Sequence, residues 1–154
     1  MTELRPGVFT AGFAKLAAEG DMRTRLALEP LALAVERQAK INASSGRHKY
    51  GTKTPAHPGS GPAIISGTLK KSVGHTPIEK DAEGWKTKVG PRLGFTPPYG
   101  KRPTPADKYG YYLETGLRNG STYPWLKPAA EFATKISAVT IFTKLYGANW
   151  GRIF

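Results

Sequence analysis

Two stretches of the chain, 44–63 and 90–106, are closed to helix and strand alike, and they constrain everything else. The first, SSGRHKYGTKTPAHPGSGPA, interleaves Gly, Pro and basic residues with almost nothing apolar. The second, GPRLGFTPPYGKRPTPA, carries Pro97-Pro98 and the basic pair Lys101-Arg102. Proline removes a backbone donor and glycine weakens any local preference, so neither stretch sustains a ladder of backbone hydrogen bonds. A structureless loop of about twenty residues inside a compact domain is uncommon, and points to a functional excursion or to a segment that orders on a partner. With 18 Gly, 13 Pro and 39% hydrophobic residues in 154, the remaining windows must supply the core of one domain.

Those windows read as follows. Phe9, Phe13 and Leu16 recur at helical spacing, which predicts a short opening helix over 7–19. Gly20-Asp21 is expected to break it, with Asp21 as a helix cap. From Met22 to about Asn42 the pattern is helical again, with Leu28, Leu31, Val35 and Ala39 on the expected inner stripe. Pro30 interrupts it, at a cost of about 3 kcal/mol if it lies inside a helix. Either the main helix starts at Glu29-Pro30 or a longer helix kinks there, and the kinked long helix is the expectation. Ser66 is placed to cap a single helical turn through Leu69. Val73–Lys80 and Trp85–Val89 read as strands of a hairpin turned at Asp81-Ala82-Glu83-Gly84. Tyr109–Glu114 is a short aromatic strand or helical turn closed by Gly116. A closing helix begins near Pro128 and carries Phe132, Ile136, Val139, Phe142 and Tyr146, a stripe expected to face the core. Gly147 ends it, and the tail 147–154 keeps Trp150, Ile153 and Phe154 for docking on its own domain or on a partner. These elements predict an α+β fold over 1–154. A small antiparallel sheet is packed by a long N-terminal helix and a C-terminal helix, with two long basic loops.

Composition removes several function classes. The chain has no cysteine, which excludes a disulfide framework, a thiol nucleophile and thiolate zinc sites. No apolar run approaches the roughly 20 residues that span a bilayer, and MTELRPGVF does not read as a secretory signal. A soluble protein made in a cytoplasm is the expectation. The net charge is +12 and uneven. Between Arg37 and Ile78 lie Arg37, Lys40, Arg47, Lys49, Lys53, Lys70 and Lys71, without one acid. Such a stretch attracts phosphate with a salt-sensitive affinity. It equally suits a solvated loop or an acidic partner protein, and no nucleic-acid motif accompanies it.

Catalytic chemistry finds little support. His48, His57 and His75 have no metal-ligand spacing, and no metal or cofactor site is expected. Glu114 lacks a second carboxylate or histidine placed beside it by any motif. It is expected to pair with an Arg or Lys. Gly90 and Gly94 lack the strand–turn–helix setting and the Lys-Ser/Thr ending of a phosphate loop. Tyr109, Tyr111, Tyr112, Tyr123 and Trp125 crowd into a short span, where core packing accounts for most of them. If that span is a strand, Tyr111 and Tyr112 face opposite ways, and one is free for a partner.

Three segments together resemble a small neck-protein family of long-tailed bacteriophages, of the head–tail joining or tail-completion type. They are Ser66, Gly67, Leu69 and Ser72 of a Ser-Gly-x-Leu-x-x-Ser turn; Tyr109, Tyr112, Glu114 and Gly116 of a Tyr-x-x-Tyr-x-Glu-x-Gly segment; and Trp125, Leu126, Pro128 and Ala129 at a helix start. The resemblance implies a structural, non-enzymatic virion protein, made in the bacterial host cytoplasm. It would form part of a ring between head connector and tail around the DNA channel. Implied partners are further copies of the chain, the connector or adaptor, and the tail terminator or tail tube. Non-specific contact with double-stranded genomic DNA is compatible with it; a membrane is not implied. The specific role, whether tail completion, tail termination or head closure, stays open. Arg47, Lys49, Lys53, Lys70, Lys71, Lys101 and Arg102 are the candidate contacts to partner or DNA. The rival readings are a nucleic-acid-binding module using loop 44–63, and a small enzyme such as a nuclease relying on His48 or Glu114.

Overall fold

The computed structural model describes residues 6–47, 56–97 and 103–147, and the side chains of its first helix from Ala18 on. The expectations for Phe9, Phe13 and Leu16 as packed side chains, and for the tail beyond Gly147, lie outside the described residues.

One helix, α1 (Pro6–Asn42), replaces the expected pair. It has 37 residues and is about 55 Å long. Gly20 does not break it, because a glycine costs a helix only about 1 kcal/mol and tertiary bonds outweigh that here. The Gly20 carbonyl accepts the hydroxyls of Thr24 (2.9 Å) and Tyr146 (3.0 Å). Asp21 is no cap either: its carboxylate accepts from Lys80 Nζ (2.9 Å) and Trp85 Nε1 (3.0 Å). Pro30 lies inside α1. It and Leu26, whose carbonyl it leaves without a helical donor, are both exposed, so water can satisfy that group.

The inner face of α1 also differs from the expected stripe. From Ala18 on, its buried positions are Ala27, Ala32 and Ala39, continued by Ala43 just past its end, while Leu28, Leu31 and Val35 are only half-buried. Against this alanine seam lies the C-terminal helix, which runs antiparallel to α1 from Trp125 beside Asn42 to Tyr146 beside Gly20. It comprises α4 (Leu126–Phe132), a π-helical turn at Ala133–Ser137, α5 (Ala138–Phe142) and a second π turn at Thr143–Gly147. Its covered face is Ala129, Ala133, Ser137, Ile141 and Leu145, every fourth residue. Steps of four would drift around an ordinary helix of 3.6 residues per turn, and the wider π turns absorb that drift.

The stripe expected to face the core is therefore turned outward. Phe132 is 42% exposed, Ile136 55%, Val139 63% and Phe142 37%. Only Tyr146, stacked on Phe142 and bonded to Gly20, is held against α1.

Between the two long helices lie a helical turn, α2 (Thr68–Ser72), and four short strands: β1 (Val73–His75), β2 (Glu79–Asp81), β3 (Gly84–Lys86) and β4 (Val89–Pro91). β1 pairs antiparallel with β4 (Val73 with Pro91, His75 with Val89), and β2 with β3 (Glu79 with Lys86, Asp81 with Gly84). The hairpin turns at Ala82-Glu83, as the sequence predicts, but it is two ladders rather than one. Pro77 has no amide to donate, and residues 76–78 face only 87–88, so the register slips between the pairs. The second loop is shorter than expected. Gly90 and Pro91 belong to β4, and Ala106 opens α3 (Ala106–Thr115), which takes in the Tyr109–Glu114 segment as helix. The first loop is pinned at its base, where Gly46 N donates to Pro62 O (3.2 Å) and Gly46 bridges Ala63. The core sits where these parts meet: Ala39 and Ala43, Leu69, Val73, Leu113, Tyr123, Trp125 and Ala129.

Candidate functional site

Trp125 and Glu114 organise the densest part of the molecule. α3 ends at Thr115, Gly116 N donates back to Tyr112 O (2.8 Å), and the chain returns so that Tyr123 N meets Leu113 O (2.6 Å). This return brings the start of the C-terminal helix beside Glu114. The carboxylate accepts three amides, those of Trp125, Leu126 and Lys127, each at 2.9 Å. A helix start leaves such amides without partners, and its positive end favours a carboxylate. Pro128, next in line, has no amide to satisfy. The expected Arg or Lys partner of Glu114 is thus replaced by backbone donors. No sequence-local capping rule finds this, because carboxylate and amides are 11 to 13 residues apart.

Trp125 is 1% exposed, donates Nε1–H to Gly110 O (3.0 Å), and its carbonyl accepts from Asn42 Nδ2 (3.0 Å). Gly110 suits this close approach: a Cβ there would lie 2.9 Å from Leu69 Cδ1 and 3.3 Å from Trp125 Cζ2, and those side chains would have to shift. Leu69 belongs to the turn that starts at Ser66. The Ser66 hydroxyl accepts the Thr68 amide (3.2 Å), while Gly67, at φ 71°, takes the cap position expected of Ser66. Ser72, fully buried, donates to Leu69 O (2.7 Å). The three segments that carry the resemblance therefore converge. There the Glu114 carboxylate and the Trp125 indole are hydrogen-bonded to backbone groups of the same chain.

Beside this scaffold opens an apolar cleft of about 330 Å³, lined chiefly by Ile64, Ile65, Leu69, Tyr109, Leu113 and Leu117. Ile64 and Ile65 are about half exposed at its mouth. Tyr111 and Tyr112, which would face opposite ways in a strand, lie together on the outside of α3 as an edge-on pair 5.9 Å apart.

The candidate cations divide in two. Arg47, Lys70 and Lys71 are exposed and make no ion pair among the described residues. Lys49, Lys53, Lys101 and Arg102 lie outside the described residues, as does His48. Lys70 lines a shallow hollow of about 610 Å³ with Leu33, Glu36, Arg37, Lys40 and Ile41.

His75 has a definite place that spacing alone does not reveal. Nδ1 lies 2.8 Å from Glu36 and Nε2 3.4 Å from Glu29, so β1 is tied to α1. The hydrogen bond to Glu36 raises the histidine above its ordinary pKa, with Glu29 adding to it against a smaller effect of burial. Partial burial pushes Glu36 up, but hydrogen bonds from Lys40 and His75 outweigh it and hold the carboxyl below its ordinary value. The Lys80 hydrogen bond likewise lowers Asp21, and the Lys86 hydrogen bond lowers Asp81. Among the described residues no group of three His, Asp or Glu side chains is arranged to hold a metal ion, and no helix is long and apolar enough to cross a membrane.

Comparison with known protein families, curated proteins and solved structures finds no match for this chain.

Proposed function

We propose that this chain is a structural bacteriophage neck protein of the tail-completion or head–tail joining type. In this reading it forms part of a ring between the head connector and the tail, and has no enzymatic role. The observation that carries the reading is the convergence of its three motif segments. Ser66–Leu69, Tyr109–Gly116 and Trp125–Ala129 are separated in sequence yet meet around Trp125 in one closed scaffold. Glu114 spends both carboxylate oxygens on amides, which suits a scaffold and leaves no poised acid or base. Large apolar surface left open on a small core fits a subunit that completes its burial on assembly. Static light scattering of the protein, alone and mixed with the neighbouring neck and tail proteins, tests this. A ring-sized species is expected, and a monomer in every mixture overturns the proposal.

The cations Arg47, Lys70 and Lys71, exposed and without an ion pair among the described residues, favour a second reading, a nucleic-acid-binding module. It predicts duplex binding whose logarithmic affinity falls linearly with the logarithm of salt concentration, with a slope of about −0.9 per neutralised phosphate. Binding that ignores salt would remove it.

A further inference from the structure

The C-terminal helix is apolar on two faces, and α1 covers only one of them. A helix that is apolar all round belongs in an interior, whereas Phe132, Ile136, Val139 and Phe142 stand outside. α1 repeats the condition. Met22, Leu26, Leu33 and Ile41 are 57%, 54%, 49% and 49% exposed. At 3.6 residues per turn, Leu26 lies about 160° around the helix from Leu28, and Leu33 as far from Val35. The outer stripe is thus a separate apolar face and no fringe of the core.

Three observations point to what covers these stripes. The first is area. At the roughly 150–200 Å² that a large apolar side chain can bury, eight half-exposed ones leave on the order of 600–800 Å² uncovered. Each contact takes one stripe, about 300–400 Å², from each copy, at most half of the roughly 800 Å² per partner of a standard interface. A closed ring covers both stripes of every copy. The second is charge. A chain of net charge +12 repels a copy of itself except through surface of low charge. The α1 stripe carries the exposed Glu29 and Arg37 among its apolar residues, but between Phe132 and Phe142 the only charged residue is Lys135. The same feature makes this face a poor match for nucleic acid. The third is that one subunit carries two such stripes on two helices. Two copies therefore supply both halves of a helix-on-helix packing, with no third component.

We propose that these stripes are the contact between successive copies of this chain, the C-terminal helix of one packing on α1 of the next. The proposal rests on the ring reading above and names the surface through which a ring closes. Contacts between two different patches are head-to-tail, and such contacts give rings when the rotation closes.

The test uses the full chain and two double variants, Ile136→Asp with Val139→Asp, and Leu26→Asp with Leu33→Asp. Circular dichroism checks that each is folded, and Tyr111→Ser, exposed elsewhere, is the control. In sedimentation velocity, wild type and control are expected to run as multiples of the 16.7 kDa chain, and each double variant as one chain. Each double variant keeps the half that the other lacks. Mixing them is therefore expected to raise the average mass toward that of two chains. Variants that stay assembled with wild type would overturn the surface assigned here and leave the ring reading standing. A mixture that stays monomeric would overturn the head-to-tail pairing. Wild type that assembles only with other neck proteins would overturn the self-contact alone, and wild type monomeric in every mixture removes both proposals.

Discussion

The surroundings of Trp125 and the outer face of the C-terminal helix are made of the same kind of residue and end in opposite states. Around Trp125, aromatic and aliphatic side chains are closed off, and the polar atoms among them are bonded to backbone groups of the same chain. Along Phe132, Ile136, Val139 and Phe142, side chains of equal apolarity are a third to two-thirds open. The helix that carries both begins under the Glu114 cap and runs on along α1 through a seam of alanines. Small residues bring two helices close but bury little area each. Stability of the chain is thus concentrated at one end, while the rest of the helix pair leaves apolar surface exposed.

That contrast can be broken at either end. The largest effect is expected from Trp125→Ala, which removes a fully buried ring and its bond to Gly110 at a cost of about 3–5 kcal/mol. Urea unfolding followed by far-ultraviolet circular dichroism measures it. Glu114→Ala strips three amides of their acceptor and is expected to cost about 1–3 kcal/mol in the same assay. A loss within error would show that water replaces the carboxylate and that the cap is incidental.

A smaller effect comes from pH. His75 has its pKa raised in the folded chain, so its contribution is fully present below the ordinary value of 6.5 and is lost as pH rises through the higher folded value. Glu36 has its pKa lowered, so its contribution is present above 4.5 and is lost as pH falls through the lower folded value. The pair therefore stabilises most between about pH 4.5 and 6.5. His75→Ala is expected to flatten the loss of stability on the alkaline side of that window. An unchanged slope of thermal midpoint against pH would separate His75 from it. Least of all is expected from Ile136→Asp with Val139→Asp in a dissociated chain, where exposed substitutions stay within about 0.5 kcal/mol each. A loss comparable to Trp125→Ala would mean that the outer stripe belongs to the core after all.

What the sequence shows well is local. The Asp81–Gly84 turn, the irregular runs 44–47 and 56–63, and the two long helices follow from turn chemistry and helical spacing. The misreadings arise where a distant contact decides. Gly20 and Asp21 look like a helix break until Tyr146, Lys80 and Trp85 are brought onto them. Tyr109–Glu114 is ambiguous as strand or helix in isolation, and its place in α3 is settled by packing on Leu69 and Trp125. The outer stripe of the C-terminal helix misleads because its large residues follow an ordinary helical period. The true inner face follows the quieter four-residue repeat from Ala129 to Leu145, which requires π turns. The small residues that open it, Ala129, Ala133 and Ser137, were the available signal. Glu114 as a remote cap left none.

The most direct test of the central claim, that the closed end folds the subunit and the open face joins subunits, is the thermal midpoint of wild type as a function of protein concentration. Association of folded chains stabilises them by mass action. The midpoint is therefore expected to climb steadily with concentration in wild type and to stay level in the Ile136→Asp, Val139→Asp variant. A wild-type midpoint that does not move from dilute to concentrated solution would contradict the account.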